Sequence, residues 1–124
     1  MHRTDCPSPI GICTEGTISM TELLDGATRF VGEQMAPTAG LSGNVPATVV
    51  SYCGDLTITT AAGTLRFDEV GLFDTGYPGG LFISRDVITS GTGSFAGASG
   101  HLTFRGTGLT SFQNDIGGEI CLAQ

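Results

Sequence analysis

The chain has 124 residues, enough for one domain with a continuous hydrophobic core. It carries 5 Lys and Arg residues against 12 Asp and Glu, which gives a formal net charge of −7 at pH 7. Binding to nucleic acid or to an anionic membrane needs a basic face, so this charge argues against both partners. The 20 glycines, 7 phenylalanines and absence of tryptophan favour short strands with tight turns over helices.

The cysteines and the start of the chain bear on its location. No apolar run approaches the roughly 20 residues of a membrane-spanning helix, and no signal-like segment opens the sequence. A cytoplasmic protein, or a mature form with an added start, would fit that beginning. Four widely spaced cysteines in a small glycine-rich domain instead favour two disulfides, in one of three connectivities, and hence a secreted or cell-envelope protein. They are Cys6, Cys13, Cys53 and Cys121.

Two alternatives exist for these cysteines. Four buried free thiols are common in folded proteins. A metal site has less support, because the sequence has no CxxC pair and its two histidines, His2 and His101, stand alone. We therefore predict no metal.

The hydrophobic pattern predicts an irregular N-terminal segment, residues 1–13, followed by a single β domain over residues 14–124. Apolar and polar residues alternate in short runs, and stretches rich in Gly and Pro, such as residues 36–46, separate them. Eight strands are predicted, over residues 14–20, 27–34, 47–53, 56–60, 64–74, 81–89, 101–110 and 116–122.

The third and fourth of these strands are separated by the Gly54-Asp55 dipeptide, which is typical of a break. No apolar stripe at helical spacing runs for 11 residues. Eight short strands at hairpin spacing predict an all-β fold, a closed eight-stranded antiparallel β-barrel, because closure removes the exposed edges of a sheet.

The segment from Val87 to Gly106 is the most informative part of the sequence. Two strand-like runs flank glycines at positions 91, 93, 97 and 100, with a single aromatic residue, Phe95, between them. This pattern predicts two antiparallel strands joined by a bulged turn that needs glycine.

The run VITSGTGSFAGASG, residues 87–100, resembles the signature of the allene oxide cyclase barrel superfamily, which dirigent proteins share in a looser form. The chain is also similar to small bacterial proteins of that superfamily that end, as here, in a Gly-Glu-Ile-Cys strand. The resemblance implies an eight-stranded barrel, often a homo-oligomer, that steers cyclisation or coupling of a hydrophobic intermediate without a cofactor. No local motif places the catalytic residues of plant allene oxide cyclases on this sequence.

The hairpin that joins strands 64–74 and 81–89 supplies the first candidate site. If it turns about Tyr77, the numbers of paired residues sum to 154, which puts Glu69 opposite Arg85 and Phe67 opposite Val87 on the inner face. Glu69 would then be a general acid or base whose ionisation is set by burial against Arg85. The alternative is an ordinary surface ion pair worth under ~1 kcal/mol, and a one-residue slip would swap Asp68 into the pair.

Further candidates come from the two phenols and the neighbouring hairpin. Tyr52 is predicted to offer its hydroxyl to a cavity, or else to be a core aromatic. We predict that Tyr77 covers one end of the barrel, although a simple turn also explains it. The second hairpin, with paired numbers summing to about 191, predicts an outward surface pair of Asp86 and Arg105. The predicted ligand contacts are Phe67, Val87, Tyr77 and Phe30.

These observations leave three hypotheses for function. The first is a barrel that binds a small hydrophobic molecule and, in its enzymatic form, acts as a cofactor-free cyclase or isomerase with Glu69, Arg85 and Tyr52 as catalytic groups. The second is an exported, disulfide-linked binding module without catalysis. The third is a structural domain whose barrel is filled by phenylalanines and aliphatic side chains. An eight-stranded barrel is wide enough either to fill itself or to hold one small ligand.

Overall fold

A computed structural model describes residues 6–19, 24–37, 48–76, 80–108 and 113–123. They form a single antiparallel sheet in which every strand pairs with its neighbours in the sequence. The sheet curls into an open half-barrel. Its seven strands are β1 (Cys13–Ser19), β2 (Asp25–Pro37), β3 (Val49–Thr60), β4 (Gly63–Asp74), β5 (Leu81–Gly91), β6 (Ser99–Thr107) and β7 (Gln113–Cys121).

The all-β prediction is confirmed, but the closed eight-stranded barrel is wrong. The predicted strands 47–53 and 56–60 are one continuous strand, β3, because Gly54 does not turn the chain. Gly54 lies opposite Gly32 of β2 and Glu69 of β4. A Cβ atom at Gly54 would stand 2.3 Å from the carbonyl oxygen of Val31, so glycine is needed here for close approach of the backbones.

The two edges of the sheet are β1 and β7, and within the described residues the pairing stops at both. Residues 6–12 continue the β1 edge: the amide of Gly32 donates to the carbonyl of Ile12 at 2.8 Å, and the Ser8 hydroxyl donates to the carbonyl of Gly32. A disulfide between Cys6 and Cys13 closes this segment into a small loop. The edge is therefore partly covered by the chain itself.

The prediction of two disulfides is wrong among the described residues, which contain one. Cys53 on β3 and Cys121 on β7 are free thiols. In addition, no helix among the described residues is long and apolar enough to cross a membrane.

The predicted glycine-dependent hairpin is confirmed. β5 and β6 pair antiparallel, and the connection between them contains a short 3₁₀ helix, Gly93–Phe95. Gly93 has a φ of +59°, a left-handed conformation that glycine adopts without strain. This turn directs Phe95 into the core, where it is fully buried.

The core lies on the concave face of the sheet, near the end where the chain turns from β3 to β4. Alternate residues of β3, β4 and β6 supply it, as expected for strands with one buried face. Its fully buried apolar side chains are Ile58, Leu65, Phe67, Phe95 and Leu102. The opposite end of the concave face is not filled in this way, and the candidate site lies there.

Candidate functional site

A cavity of about 950 Å³ occupies the open end of the half-barrel. All seven strands and the disulfide-closed N-terminal segment contribute to its wall. This volume is at the upper end of the range for small-molecule sites in proteins. Most of the large side chains that line it are apolar: Ile10, Ile12, Ile18, Phe30, Met35, Val50, Leu56, Phe73, Phe82, Phe104 and Ile116.

Glu69 and Tyr52 bring polar groups to this apolar wall. Tyr52 lies opposite Gly71 in the β3–β4 register. A Cβ atom at Gly71 would stand 2.7 Å from the Tyr52 ring, so the ring packs there because residue 71 has no side chain. The Tyr52 hydroxyl donates a hydrogen bond to Oε2 of Glu69 at 2.9 Å. Glu69 is nine-tenths buried, with 9% of its surface exposed.

Behind Glu69 lies a second carboxyl group that the sequence analysis had placed on the surface. Asp86 is directly opposite Glu69 in the β4–β5 register and is fully buried. Its Oδ1 accepts a hydrogen bond from the Ser84 hydroxyl at 2.8 Å. Its Oδ2 is buried and has no hydrogen-bond partner in the part of the chain that the structure describes, although the Asp86 side chain interacts with that of Glu69.

Burial and the neighbouring Glu69 raise the pKa of Asp86 to about 10, against the smaller lowering effect of the Ser84 hydrogen bond. Asp86 is therefore protonated at neutral pH. The protonated carboxyl group has a hydrogen to donate to Glu69, with which it forms a side-chain hydrogen bond. The two carboxyl groups together carry one negative charge.

Tyr52 stays neutral in the same environment. Burial and then the negative charge of Glu69 raise the pKa of its phenol far above the usual value. The phenol is a fixed hydrogen-bond donor at any physiological pH. The Phe30 and Tyr52 rings pack edge to face, with centroids 5.7 Å apart and an angle of 86° between the ring planes.

Three of the predicted site residues therefore come together in one place. Glu69, Tyr52 and Phe30 all line the cavity. Phe67 is on the same face of the sheet but is sealed in the core and does not line the cavity. Tyr77 lies outside the described residues.

The predicted contact between Glu69 and Arg85 is wrong. The paired numbers of β4 and β5 sum to 155 near Glu69, so Val70 is opposite Arg85 and Asp68 is opposite Val87. Because neighbouring residues of a strand point to opposite faces, this shift of one residue turns Arg85 and Val87 outward. Both are exposed, and Val87 has 45% of its surface accessible.

The predicted outward pair of Asp86 and Arg105 is also wrong. The β5–β6 register pairs Asp86 with Leu102 and Arg105 with Ile83. The observed pairs sum to 188, so the connection is centred on residue 94, and the register differs by three from the predicted sum of about 191. Asp86 faces the interior because the β4–β5 register places it opposite the inward Glu69, whereas Arg105 is exposed.

Asp86 and Ser84 are the site residues that sequence reasoning missed. The one signal for them is parity: both share a strand face with Phe82 and Ile88, which are apolar. The predicted register placed Arg85 and Val87 on the inner face, and therefore placed Ser84 and Asp86 on the outer face.

The charged side chains that line the cavity are acidic. Among the residues described, the charged side chains that line the cavity are Glu15 and Glu69, and the lining contains no Arg or His. Arg66, Arg85 and Arg105 are exposed. No group of three or more His, Cys, Asp or Glu side chains in the described ranges is arranged to hold a metal ion.

Comparisons with known proteins do not assign the chain to a family. No family model, curated protein or solved structure matches the chain. The resemblance to the allene oxide cyclase superfamily therefore stays a prediction from residues 87–100.

Proposed function

We propose that the protein binds a small hydrophobic molecule in the cavity of the half-barrel. The observation that carries the proposal is the cavity itself: about 950 Å³ of space with a mostly apolar wall and a buried carboxylate and phenol at one point. Ligand sites in proteins have this composition, in which apolar walls give affinity and a few polar groups give orientation. A purely structural domain of this size would be expected to fill such a space, because protein interiors are close-packed.

Binding of the neutral dye Nile red tests this proposal, because its fluorescence rises in an apolar site. Thr28 lines the cavity, whereas Thr59 is exposed on β3 away from it. We expect Thr28→Trp to weaken dye binding at least about tenfold, or roughly 1.4 kcal/mol, by filling the cavity. The matched variant Thr59→Trp should bind as the unmodified protein does. Equal binding by both variants, or no binding by the unmodified protein, would refute the proposal.

A catalytic role is the second candidate, and the contact between Tyr52 and Glu69 favours it. A buried carboxylate in an apolar cavity is a suitable base for removing a proton from a carbon next to a carbonyl group. The C–H electron pair then moves into the enolate. Return of the same proton from Glu69 to another carbon completes an isomerisation without a cofactor or an oxidant. The Tyr52 hydroxyl donates its one hydrogen to Glu69 and holds the carboxylate in position at the cavity wall.

Exchange of the α-protons of 2-tetralone in D₂O, followed by ¹H NMR, tests this role. We expect the protein to accelerate exchange and Glu69→Gln to lower the accelerated rate by about 10²-fold or more, the range for loss of a general base. Asp68→Asn removes a carboxylate from the other face of the same strand and should leave the rate unchanged. Exchange at the same rate in the Glu69→Gln variant would exclude Glu69 as the base.

The Cys6–Cys13 disulfide supports a further element of the proposal, that the protein acts in an oxidising compartment, secreted or in the cell envelope. There it would serve as a binding module whether or not it has catalytic activity. Fractionation of cells that express the chain from its own gene tests this location. Recovery of the protein with reduced Cys6 and Cys13 in the cytoplasmic fraction would contradict it.

A further inference from the structure

The sign of the charge in the cavity restricts what it binds. Glu15 is at the β1 edge of the wall and lies opposite Arg29 in the β1–β2 register. Glu69 is the deeper of the two carboxylates and nine-tenths buried. Its described polar neighbours are the Tyr52 hydroxyl and the Asp86 carboxyl group, and neither brings a positive charge.

The described arginines do not compensate for Glu69. Arg29 is next to Phe30, which lines the cavity, so its side chain points to the other face of β2. Arg66 is on the outer face, where its side chain is 58% exposed and lies 3.7 Å from Asp55. Arg85 and Arg105 are exposed as well, and the sequence contains no lysine. Within the described residues, Glu69 therefore places an uncompensated negative charge on an apolar wall.

We infer that the ligand of this cavity is an apolar molecule that carries one protonated amine, and that the amine binds the carboxylate of Glu69. This inference rests on the proposed binding function and names the chemical class of its ligand. An ammonium group gives Glu69 a charge-assisted hydrogen bond and removes the cost of an uncompensated buried charge. A carboxylate or phosphate in the same place would add a second negative charge in a medium of low dielectric constant. A neutral alcohol donates a hydrogen bond but leaves the charge uncompensated.

Three probes of equal chain length test the inference: octylamine, octanol and octanoate at pH 7. Each competes with bound Nile red, so a neutral reporter measures all three. We expect octylamine to bind at least about tenfold more tightly than octanol, a difference of roughly 1.4 kcal/mol, and octanoate to bind most weakly. The preference should persist in 0.5 M NaCl, because salt screens a buried pair less than it screens the net charge of the surface.

Two matched variants locate the effect. Glu69→Gln keeps an acceptor for Tyr52 and removes the charge, so octylamine should lose its advantage over octanol. Asp68→Asn removes the same charge from the preceding residue of β4, on the exposed face, and octylamine should keep its advantage over octanol. Thermal unfolding confirms that each variant is folded, and the probe series in the unmodified protein decides the inference even if one variant is not.

The outcomes separate this inference from the proposed function. Binding of octanol as tight as that of octylamine, with loss of both in Thr28→Trp, overturns the amine assignment and leaves the hydrophobic site standing. An octylamine preference that survives Glu69→Gln or disappears in Asp68→Asn also overturns it. If none of the three probes and no dye binds, the proposed function fails and the inference fails with it.

Discussion

Glu69 and Asp86 lie directly opposite each other on β4 and β5, and both face the interior of the half-barrel. Like charges facing each other across two strands destabilise a sheet, and in a buried site the cost is larger. The arrangement is stable because one of the two groups is neutral. Asp86, which has no contact with the cavity, keeps the proton and leaves Glu69 as the charged group on the wall.

The protonation of Asp86 predicts how stability changes with pH. The pKa of Asp86 is about 10 in the folded protein and near 3.8 in the unfolded chain. Between these values the folded protein holds a proton that the unfolded chain has released, so the contribution of Asp86 to stability is complete below pH 3.8 and falls as the pH rises. The slope is up to about 1.4 kcal/mol per pH unit. The free energy of unfolding of Asp86→Asn lacks this dependence on pH. Measured by urea unfolding at pH 5, 7 and 9, the stability of the variant relative to the unmodified protein should increase with pH.

The control for this measurement is Asp68→Asn, which removes a carboxyl group from the exposed face of β4. The difference in free energy of unfolding between this variant and the unmodified protein measures the effect of losing one surface charge. If the Asp86→Asn difference were as flat with pH as this control, Asp86 would not be the buried acid described here.

The hydrogen bond between Tyr52 and Glu69 makes a prediction about stability. Tyr52→Phe removes the donor and keeps the ring packed on Phe30, so we expect a loss of about 1.5–3 kcal/mol, the range for a hydrogen bond to a charged group. Glu69→Gln alone removes the charge. In a double-mutant cycle measured by urea unfolding, the two changes should be clearly non-additive. Additive losses would mean that the 2.9 Å contact contributes nothing to stability.

The pairing of the cysteines predicts a thiol count. Alkylation of the denatured, unreduced protein should add two groups, on Cys53 and Cys121, and alkylation after reduction should add four. Peptide mass mapping should find Cys6 and Cys13 linked in one unreduced peptide. Four groups before reduction, or none, would contradict the single N-terminal disulfide.

Much of the fold was predictable, because alternation along a strand is a local property. The strands near residues 14–20, 64–74 and 81–89 follow from their own sequences, and so does the glycine turn around Phe95. The number of strands was not predictable in this way. Gly54-Asp55 has the composition of a turn, and only the neighbouring β2 backbone shows that Gly54 is there for close approach.

The site was less predictable than the fold, because it depends on register. Residue type indicated Glu69, Tyr52 and Phe30, and the structure puts all three at the cavity. The residue opposite Glu69 is Arg85 if the paired numbers of β4 and β5 sum to 154, and Asp86 if they sum to 155. A shift of one residue therefore decides whether an exposed arginine or a buried acid is the partner. The length of the connection between Asp74 and Leu81 sets that sum, and no residue within it signals the register.

Gly54 allows the continuity of β3 to be tested directly. In Gly54→Ala the new methyl group meets the Val31 carbonyl oxygen at 2.3 Å and the Phe30 ring at 2.7 Å, so β2 and β3 must separate. We expect a loss of about 1–3 kcal/mol, as for overpacking in a core, and weaker Nile red binding because Phe30 lines the cavity. Gly117→Ala on β7 meets nothing within 4 Å and should change stability by less than about 0.5 kcal/mol. Equal stability of the two variants in urea unfolding would mean that residue 54 lies in an open turn, as its sequence suggests, and not inside one long strand.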